Sequence, residues 1–139
     1  MGREDRRPLR VLAVDDSAVM RGVLKTVFDL HARNEDSPLP RMELCGLVRD
    51  GVEALEAVRT LSPDVLLLDL EMPRMNGFEC LKAIRQDSQL KHLPVIMITS
   101  RTAAKHRQRA QDLGIHGYLG KPFQEEELAR LLQESVATS

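Results

Sequence analysis

The stretch VLLLDLEMPRMNG, residues 65–77, decides the fold, because a run of apolar residues ends in an aspartate and passes into a loop containing proline and glycine. Apolar runs of this length without alternating polar residues are typical of strands buried on both faces of a sheet. Four further segments predict four more strands: 11–14, 42–48, 95–98 and a weaker one around Tyr118 and Leu119. Polar residues interrupt the segment 42–48, which suits a strand at the edge of the sheet.

Between these runs, apolar residues recur every three or four positions, which is the spacing of amphipathic helices. Ser17 is placed to cap the first helix, and Asp50 with Glu53 predicts an acidic variant of the capping box at the second. The five predicted apolar stripes are Val19 or Met20 with Val23, Leu24, Val27 and Leu30; Ala54, Leu55, Val58 and Leu61; Phe78, Leu81 and Ile84; Ala103, Ala104, Ala110 and Leu113; and Leu128, Leu131 and Leu132.

Strand and helix therefore alternate five times, which indicates βαβ units and a parallel sheet covered by helices on both faces. A chain of 139 residues has the length of one domain. We expect a flexible leader at residues 1–8, one domain over 9–136 and an exposed loop at about 32–40.

Composition excludes several classes of function. The formal net charge of −1 leaves no field to hold a polyanion, so direct binding of nucleic acid is not expected. No apolar run approaches the roughly 20 residues that span a bilayer. Cys45 and Cys80 lack metal-binding spacing and predict buried free thiols in a reducing compartment. A cytoplasmic protein that does not contact membranes is the expected result.

Polar side chains follow the predicted strands: Asp15 and Asp16 after the first, Asp69 after the third, Thr99 at the end of the fourth and Lys121 after the fifth. In an open parallel sheet these side chains converge at the carboxyl ends of the strands. Carboxylates in one cleft repel one another unless they share a hard divalent cation, for which Mg²⁺ is the best candidate.

A central carboxylate of this kind can act as a nucleophile toward phosphorus and form an acyl phosphate. Lys121 and the Thr99 hydroxyl would then stabilise the charge on the phosphoryl oxygens. Taken singly, each residue has an ordinary structural role as a helix cap, a strand residue or a solvated lysine. Only their joint placement at matching strand ends favours the chemical interpretation.

Four segments resemble the receiver (response-regulator, CheY-like) family of two-component systems: VLAVDDS at 11–17, LLLDLEMPRMNG at 66–77, VIMITS at 95–100 and GYLGKPF at 117–123. The resemblance covers the chain from Leu9 to about Val136. It implies a flavodoxin-like three-layer α/β sandwich whose five parallel strands have the order 2-1-3-4-5. It also implies a switch controlled by phosphorylation.

Carried over position by position, the resemblance makes Asp69 the phosphoacceptor and Asp16 a direct metal ligand. Asp15 would reach the metal mainly through water, and the backbone carbonyl of Glu71 would complete the protein ligands. Lys121 would contact the phosphate, with a cis peptide bond before Pro122 aiming it into the cleft.

Two residues would form the switch according to the same resemblance. The Thr99 hydroxyl would move toward the phosphoryl group, and Tyr118 would rotate inward behind it, although a lone tyrosine on a strand is ordinarily a packing residue. Gly77 is expected to relieve crowding beside the loop after Asp69. Met72, Met75 and Phe78 are expected to pack in the interior.

The loop before Met42 is longer than in compact receivers. Glu71 and Arg101 are each the second residue after a key position, Asp69 and Thr99 respectively. We hypothesise that Glu71 and Arg101 pair across the mouth of the site and tune attack of water on the acyl phosphate.

The resemblance implies a histidine kinase or a histidine phosphotransfer domain as phosphoryl donor and a downstream protein target, with the chain a monomer or a weak dimer. Residues 97–128 look like receivers at the C-terminus of chemotaxis-type hybrid histidine kinases. Two alternatives stay open. A Mg²⁺-dependent aspartyl-phosphate phosphatase needs a second acid two residues after the nucleophile, and Glu71 is a poor substitute for it. A phosphate-independent interaction module would not need the complete set of polar residues.

Overall fold

The structure, a computed structural model, describes residues 8–32, 41–72, 74–100 and 104–137. Strands and helices alternate through this part of the chain, as predicted. The strands are β1 (Leu9–Val14), β2 (Met42–Val48), β3 (Val65–Asp69), β4 (Val95–Thr99) and β5 (Gly117–Gly120). The helices are α1 (Ala18–Ala32), α2 (Gly51–Leu61), α3 (Gly77–Gln86), α4 (Ala104–Asp112) and α5 (Glu125–Ala137).

All pairings in the sheet are parallel, and the strand order is β2-β1-β3-β4-β5. The predicted order is therefore confirmed, with β2 at one edge. The chain reverses direction across the sheet after β2, so β1 and β3 are neighbours and their carboxyl ends meet. This is the position at which open α/β sheets bind ligands.

Successive residues of the central strands point to opposite faces, and both faces are buried. Leu12, Val14, Leu66 and Leu68 pack in one core cluster with residues of α2, α3 and α4. Val11, Ala13, Val65 and Leu67 pack in a second cluster with residues of α1 and α5. Burial on both faces explains why the strands read as unbroken apolar runs.

Two predicted helix caps form, and one differs in detail. Ser17 Oγ accepts a hydrogen bond from Met20 N at 3.2 Å, and Asp50 Oδ1 accepts one from Glu53 N at 2.9 Å. The predicted capping box at α2 is wrong, however. The Glu53 carboxylate accepts from the backbone N–H of Arg49, one residue before the cap, at 2.8 Å.

A complete capping box forms instead at α3. The Asn76 side chain accepts a hydrogen bond from Glu79 N at 2.9 Å, and the Glu79 carboxylate accepts one from Asn76 N at 3.0 Å. The sequence analysis did not identify this cap.

The predicted apolar stripe of α1 is wider than the face that is buried. Leu24 and Phe28 are buried, whereas Val19, Val23 and Leu30 are 79%, 41% and 55% exposed. A single helix contacts the sheet along a narrow line, so residues on the flank of the stripe remain in solvent.

The predicted apolar face of α4 is confirmed in part, and Leu113 packs partly buried against the first core cluster. Ala110 is fully buried, but Ala104 is exposed, and Ala103 lies outside the described residues. The helix contributes little apolar surface to the core.

Other expectations are met within the described residues. Met72 and Phe78 are buried, and Met75 packs partly against the same cluster. Cys45 and Cys80 are free thiols as expected, but only Cys80 is fully buried, because Cys45 lies on the edge strand β2 and is half-buried. None of the described helices has the length and apolar character needed to cross a membrane. The expected leader, apart from Pro8, and most of the expected loop before Met42 lie outside the described residues.

Candidate phosphoryl-transfer and metal site

Three carboxylates meet at the carboxyl ends of β1 and β3. Asp15 and Asp16 follow β1, Asp69 is the last residue of β3, and the two strands are paired. One carboxylate oxygen from each of the three lies within 4.8 Å of the others. Asp15 and Asp69 are buried, whereas Asp16 is exposed.

The segment after β1 is held by its own hydrogen bonds. Asp15 Oδ1 accepts from Ser17 N at 2.9 Å, which closes a tight turn ahead of α1. The backbone carbonyl of Asp15 accepts from Arg21 Nη1 at 2.8 Å. Arg21 therefore fixes the backbone that carries the acidic pair, a role that the sequence analysis did not anticipate.

Lys121 enters the same cleft from the loop after β5. Its Nζ lies 2.7 Å from Asp15 Oδ2 and 3.4 Å from Asp69 Oδ1, and its side chain is 17% exposed. Its backbone N–H donates to the carbonyl of Thr99 at 2.9 Å, and the Lys121–Pro122 peptide bond is cis, as expected. Side chains from three strand ends thus meet around one point.

The electrostatics of the cleft follow from burial and crowding. Burial first, and then the neighbouring charge of Asp15, raise the pKa of Asp69 to about 6, against the lowering effect of Lys121. Burial alone would lower the pKa of Lys121, but its contacts with Asp15 and Asp69 outweigh this effect and raise it. At neutral pH Asp69 is therefore mostly ionised and the Lys121 ammonium group is charged.

The donor set fits Mg²⁺. Three carboxylates and one ammonium group leave two negative charges uncompensated, and the oxygen ligands are of the hard type that Mg²⁺ prefers. The exposed Asp16 leaves one side of the cluster open to the water molecules that Mg²⁺ retains. The assignment of Asp15, Asp16, Asp69 and the Glu71 carbonyl as ligands stays a prediction.

The two predicted switch residues lie on the strands beyond β3. Thr99 is fully buried at the end of β4, beside the strand that ends in Asp69. Tyr118 lies on β5, paired with Met97, and the guanidinium carbon of Arg107 lies 5.1 Å from the centre of its ring. Burial raises the pKa of Tyr118.

The Glu71 side chain bonds to the residue that follows β4. Its Oε1 accepts a hydrogen bond from the Ser100 hydroxyl at 3.1 Å. Arg101 lies outside the described residues, so the proposed pairing of Glu71 and Arg101 stays a prediction.

Crowding at Gly77 is as expected. A Cβ on Gly77 would lie 2.4 Å from the carbonyl oxygen of Asp69 and 2.8 Å from Leu70 Cα. The first turn of α3 can therefore approach the end of β3 only without a side chain at this position.

Comparison with known proteins agrees with this geometry. A profile of the response regulator receiver domain matches residues 11–133. The chain is 44% identical, over 118 residues, to a protein-glutamate methylesterase/protein-glutamine glutaminase of Pyrococcus abyssi, and the match covers 84% of this chain and 29% of that protein. The chain thus spans less than a third of the length of this curated relative.

Two solved structures are similar over nearly their whole length. The chemotaxis response regulator CheY4 of Vibrio cholerae has a TM-score of 0.77 and 34% identity, covering 93% of this chain and 99% of that one. The response regulator domain of Thermotoga maritima CheB has a TM-score of 0.73 and 35% identity, covering 95% and 96%.

Proposed function

The chain belongs to the response regulator receiver domain family, and from this premise we propose that it takes a phosphoryl group from a phosphohistidine onto Asp69 with Mg²⁺ bound. The observation that supports the proposal most directly is the convergence of three carboxylate oxygens within 4.8 Å beside the ammonium group of Lys121. Membership of the family supports a role in phosphoacceptor signalling, and the arrangement of these residues supports phosphoryl transfer to Asp69.

In the proposed reaction, an ionised oxygen of Asp69 attacks the phosphorus of the donor. The phosphorus–nitrogen bond breaks, and the donor imidazole, protonated on its other nitrogen, leaves as the neutral ring with the electron pair of that bond. A pKa of about 6 keeps most Asp69 molecules ionised at neutral pH. Because Asp69 is almost buried, few water molecules need to be displaced before attack.

The remaining polar groups stabilise charge on the transferred group. When bound, Mg²⁺ supplies positive charge to the phosphoryl oxygens, and Asp15, Asp16, Asp69 and the Glu71 carbonyl are the groups that would hold it. Lys121, already within 3.4 Å of Asp69, would turn its ammonium group to the new phosphoryl oxygens.

The phosphoryl group on Asp69 would also operate the conformational switch. We expect the Thr99 hydroxyl to hydrogen-bond to the phosphoryl group and Tyr118 to follow it inward, leaving its contact with Arg107. Phosphorylation would then shift the population between two conformations of the surface formed by α4, β5 and α5.

The two alternative functions are less well supported. A phosphatase of small esters needs an acid at Glu71 that faces the phosphoryl group, whereas this side chain bonds to the Ser100 hydroxyl. An interaction module without phosphorylation has no use for two buried carboxylates in contact with one lysine, an arrangement that costs folding free energy.

The output is proposed from the curated relatives. The similarity to a protein named for methylesterase and glutaminase activity favours a catalytic unit of that kind as the downstream target. Phosphorylated chain added to the purified catalytic unit of such a relative is expected to change the rate of methyl ester hydrolysis. An unchanged rate would contradict this output and favour a receiver that is part of a hybrid histidine kinase, at its C-terminus.

Intact-mass measurement tests the central proposal. The chain is incubated with Mg²⁺ and acetyl phosphate or a phosphoramidate, and the expected result is a mass gain of one phosphoryl group. Removing Mg²⁺ with a chelator, or changing Asp69→Asn, should abolish the gain. A chain that gains no mass under these conditions would contradict the proposal.

A further inference from the structure

Arg74 has an unusual backbone conformation beside the candidate metal site. Among the described residues, Ser62 and Arg74 are the two non-glycine residues with positive φ, 48° and 64°. Ser62 ends α2, where a left-handed residue is common. Arg74 lies between β3 and α3 and ends no helix, so other contacts must hold it in a conformation that side chains disfavour.

Those contacts come from Asp50. Both Nε and Nη2 of Arg74 donate to Oδ2 of Asp50, the first at 3.0 Å. The Asp50 side chain is 7% exposed, whereas that of Arg74 is 57% exposed. Asp50 therefore presents a nearly buried acceptor, and the guanidinium is the charged group that compensates it.

The same carboxylate also organises α2. Asp50 Oδ1 accepts from Glu53 N at 2.9 Å and caps the helix, so one side chain fixes both the start of α2 and the segment that carries Arg74. Gly51, which follows Asp50, is also in close contact with Met75, which follows Arg74. A Cβ on Gly51 would lie 2.8 Å from the carbonyl oxygen of Met75, which leaves no room between the two backbones.

The segment between β3 and α3 is thus held at several points. Gly77 N donates to Leu70 O at 2.8 Å, which closes the segment at its other end. Glu71, the proposed carbonyl ligand, lies within this closed segment. Arg74 and Glu71 are three positions apart in this segment.

We propose that Arg74 is a positioning residue of the metal site, because its ion pair with Asp50 holds the segment between β3 and α3 with the Glu71 carbonyl facing the cation. The inference rests on the proposed function and extends it to a residue that touches neither metal nor phosphoryl group. Asp16, Arg49, Asp50 and Arg74 line one cavity of about 500 Å³, so the ion pair adjoins the exposed carboxylate of the site.

The direction of the change in Mg²⁺ affinity distinguishes an arginine that positions a metal ligand from one that acts only through its charge. A guanidinium beside a cation site opposes binding of a second cation. Deleting a bystander arginine therefore leaves Mg²⁺ affinity unchanged or increases it. Deleting an arginine that positions a ligand weakens Mg²⁺ binding in spite of the favourable change in charge.

Arg49 supplies the matched control. It lines the same cavity and carries the same charge, but its ion pair is with Glu53 of α2, at 2.9 Å. Mg²⁺ affinity of the wild-type chain, Arg74→Ala and Arg49→Ala is measured by isothermal titration calorimetry. We expect binding about tenfold weaker in Arg74→Ala, as is typical for residues that support a metal ligand, and unchanged or tighter binding in Arg49→Ala.

A second measurement needs no metal. Amide hydrogen exchange of the metal-free proteins is followed in peptides that cover residues 70–77. Exchange there should be faster in Arg74→Ala than in the wild type and unchanged in Arg49→Ala. Arg74→Asn provides a variant that accepts positive φ easily and lacks the ion pair, and it should behave like Arg74→Ala.

Each outcome decides a different point. If Arg74→Ala binds Mg²⁺ as tightly as Arg49→Ala, or if Arg74→Asn behaves as the wild type, the ion pair does not position the site and the inference is wrong. A wild-type chain that binds no Mg²⁺ would overturn the proposed function itself. Exchange in residues 70–77 that is the same in all four proteins would overturn the role of Arg74 alone.

Discussion

Lys121 donates a 2.7 Å hydrogen bond to Asp15 although the two residues are 106 positions apart in the chain. The contact joins the loop after β5 to the end of β1. The ammonium group occupies the place of a counter-ion for two buried carboxylates, since it also lies 3.4 Å from Asp69. Lys121 therefore competes with any metal ion for the same oxygens.

This competition predicts opposite effects of Lys121→Ala on binding and on chemistry. Mg²⁺ affinity should stay the same or increase, because one positive charge leaves the cleft. Transfer from acetyl phosphate should slow about 100-fold, because a donor to the phosphoryl oxygens is lost. Calorimetry with Mg²⁺ and a time course of intact mass measure the two quantities, and slower transfer caused only by weaker Mg²⁺ binding would refute the assigned role.

The raised pKa of Asp69 predicts a stability effect in the metal-free protein. The folded-state value of about 6 exceeds the unfolded value of about 3.9, so the folded chain binds more protons between them and loses stability as pH rises through this window. Asp69→Asn should therefore stabilise the chain at pH 8 by about 3 kcal/mol, and the difference should fade toward pH 4.

Urea unfolding followed by circular dichroism in a chelator measures this effect. Saturating Mg²⁺ should reverse the order, because it stabilises the wild-type chain and has little effect on the variant. Equal stability of the two metal-free proteins at pH 8 would show that burial and the charge of Asp15 do not make ionised Asp69 costly in the folded chain.

Tyr118 predicts an optical signal for the switch. It is the only tyrosine, and the chain contains no tryptophan, so intrinsic emission reports on this ring alone. Its guanidinium neighbour Arg107 lies 5.1 Å from the ring centre, and phosphorylation should break this contact.

Emission at the tyrosine wavelength should therefore change on addition of Mg²⁺ and acetyl phosphate. Asp69→Asn should abolish the change, and Thr99→Ala should abolish it while the mass gain persists. Emission that stays constant while the chain is fully phosphorylated would exclude Tyr118 from the switch.

Two glycines form a matched pair for a test of packing at the site. Gly77→Ala places a methyl group 2.4 Å from the Asp69 carbonyl oxygen, whereas a Cβ on Gly22, within α1, meets nothing within 4 Å. Gly77→Ala should cost about 1–3 kcal/mol of unfolding free energy through overpacking. Gly22→Ala should stabilise the chain by roughly 0.5–1 kcal/mol through helix propensity. Equal effects of the two substitutions in urea unfolding would contradict the described crowding.

The fold was predictable because strands buried on both faces have unbroken apolar sequences, and because segments with the apolar spacing of amphipathic helices lie between them. The flank of α1 was not predictable in the same way. Val19 and Leu24 are both apolar, and only the packing of the helix on the sheet decides that the second is buried and the first exposed. Helix periodicity alone does not determine which residues within a wide stripe are covered.

The candidate site was predictable to the extent that its residues stand at strand ends. Asp15, Asp69 and Lys121 meet because parallel strands carry them to one edge of the sheet. The roles of Arg21 and Arg74 beside the site were not predictable, because an arginine side chain can reach many acceptors and the geometry of the loops decides which one it contacts. Arg85 illustrates this point, since it donates to backbone carbonyls of four residues: Lys91, Leu93, Leu113 and Gly114.

Chemical localisation of the phosphoryl group tests the central claim most directly. Borohydride reduces an aspartyl phosphate to homoserine, so the chain is phosphorylated with acetyl phosphate and Mg²⁺, reduced, digested and sequenced by mass spectrometry. The account predicts homoserine at position 69 and unmodified Asp15 and Asp16. Homoserine at either of those two residues with Asp69 intact, or at no residue of a chain that has gained phosphate, would contradict it.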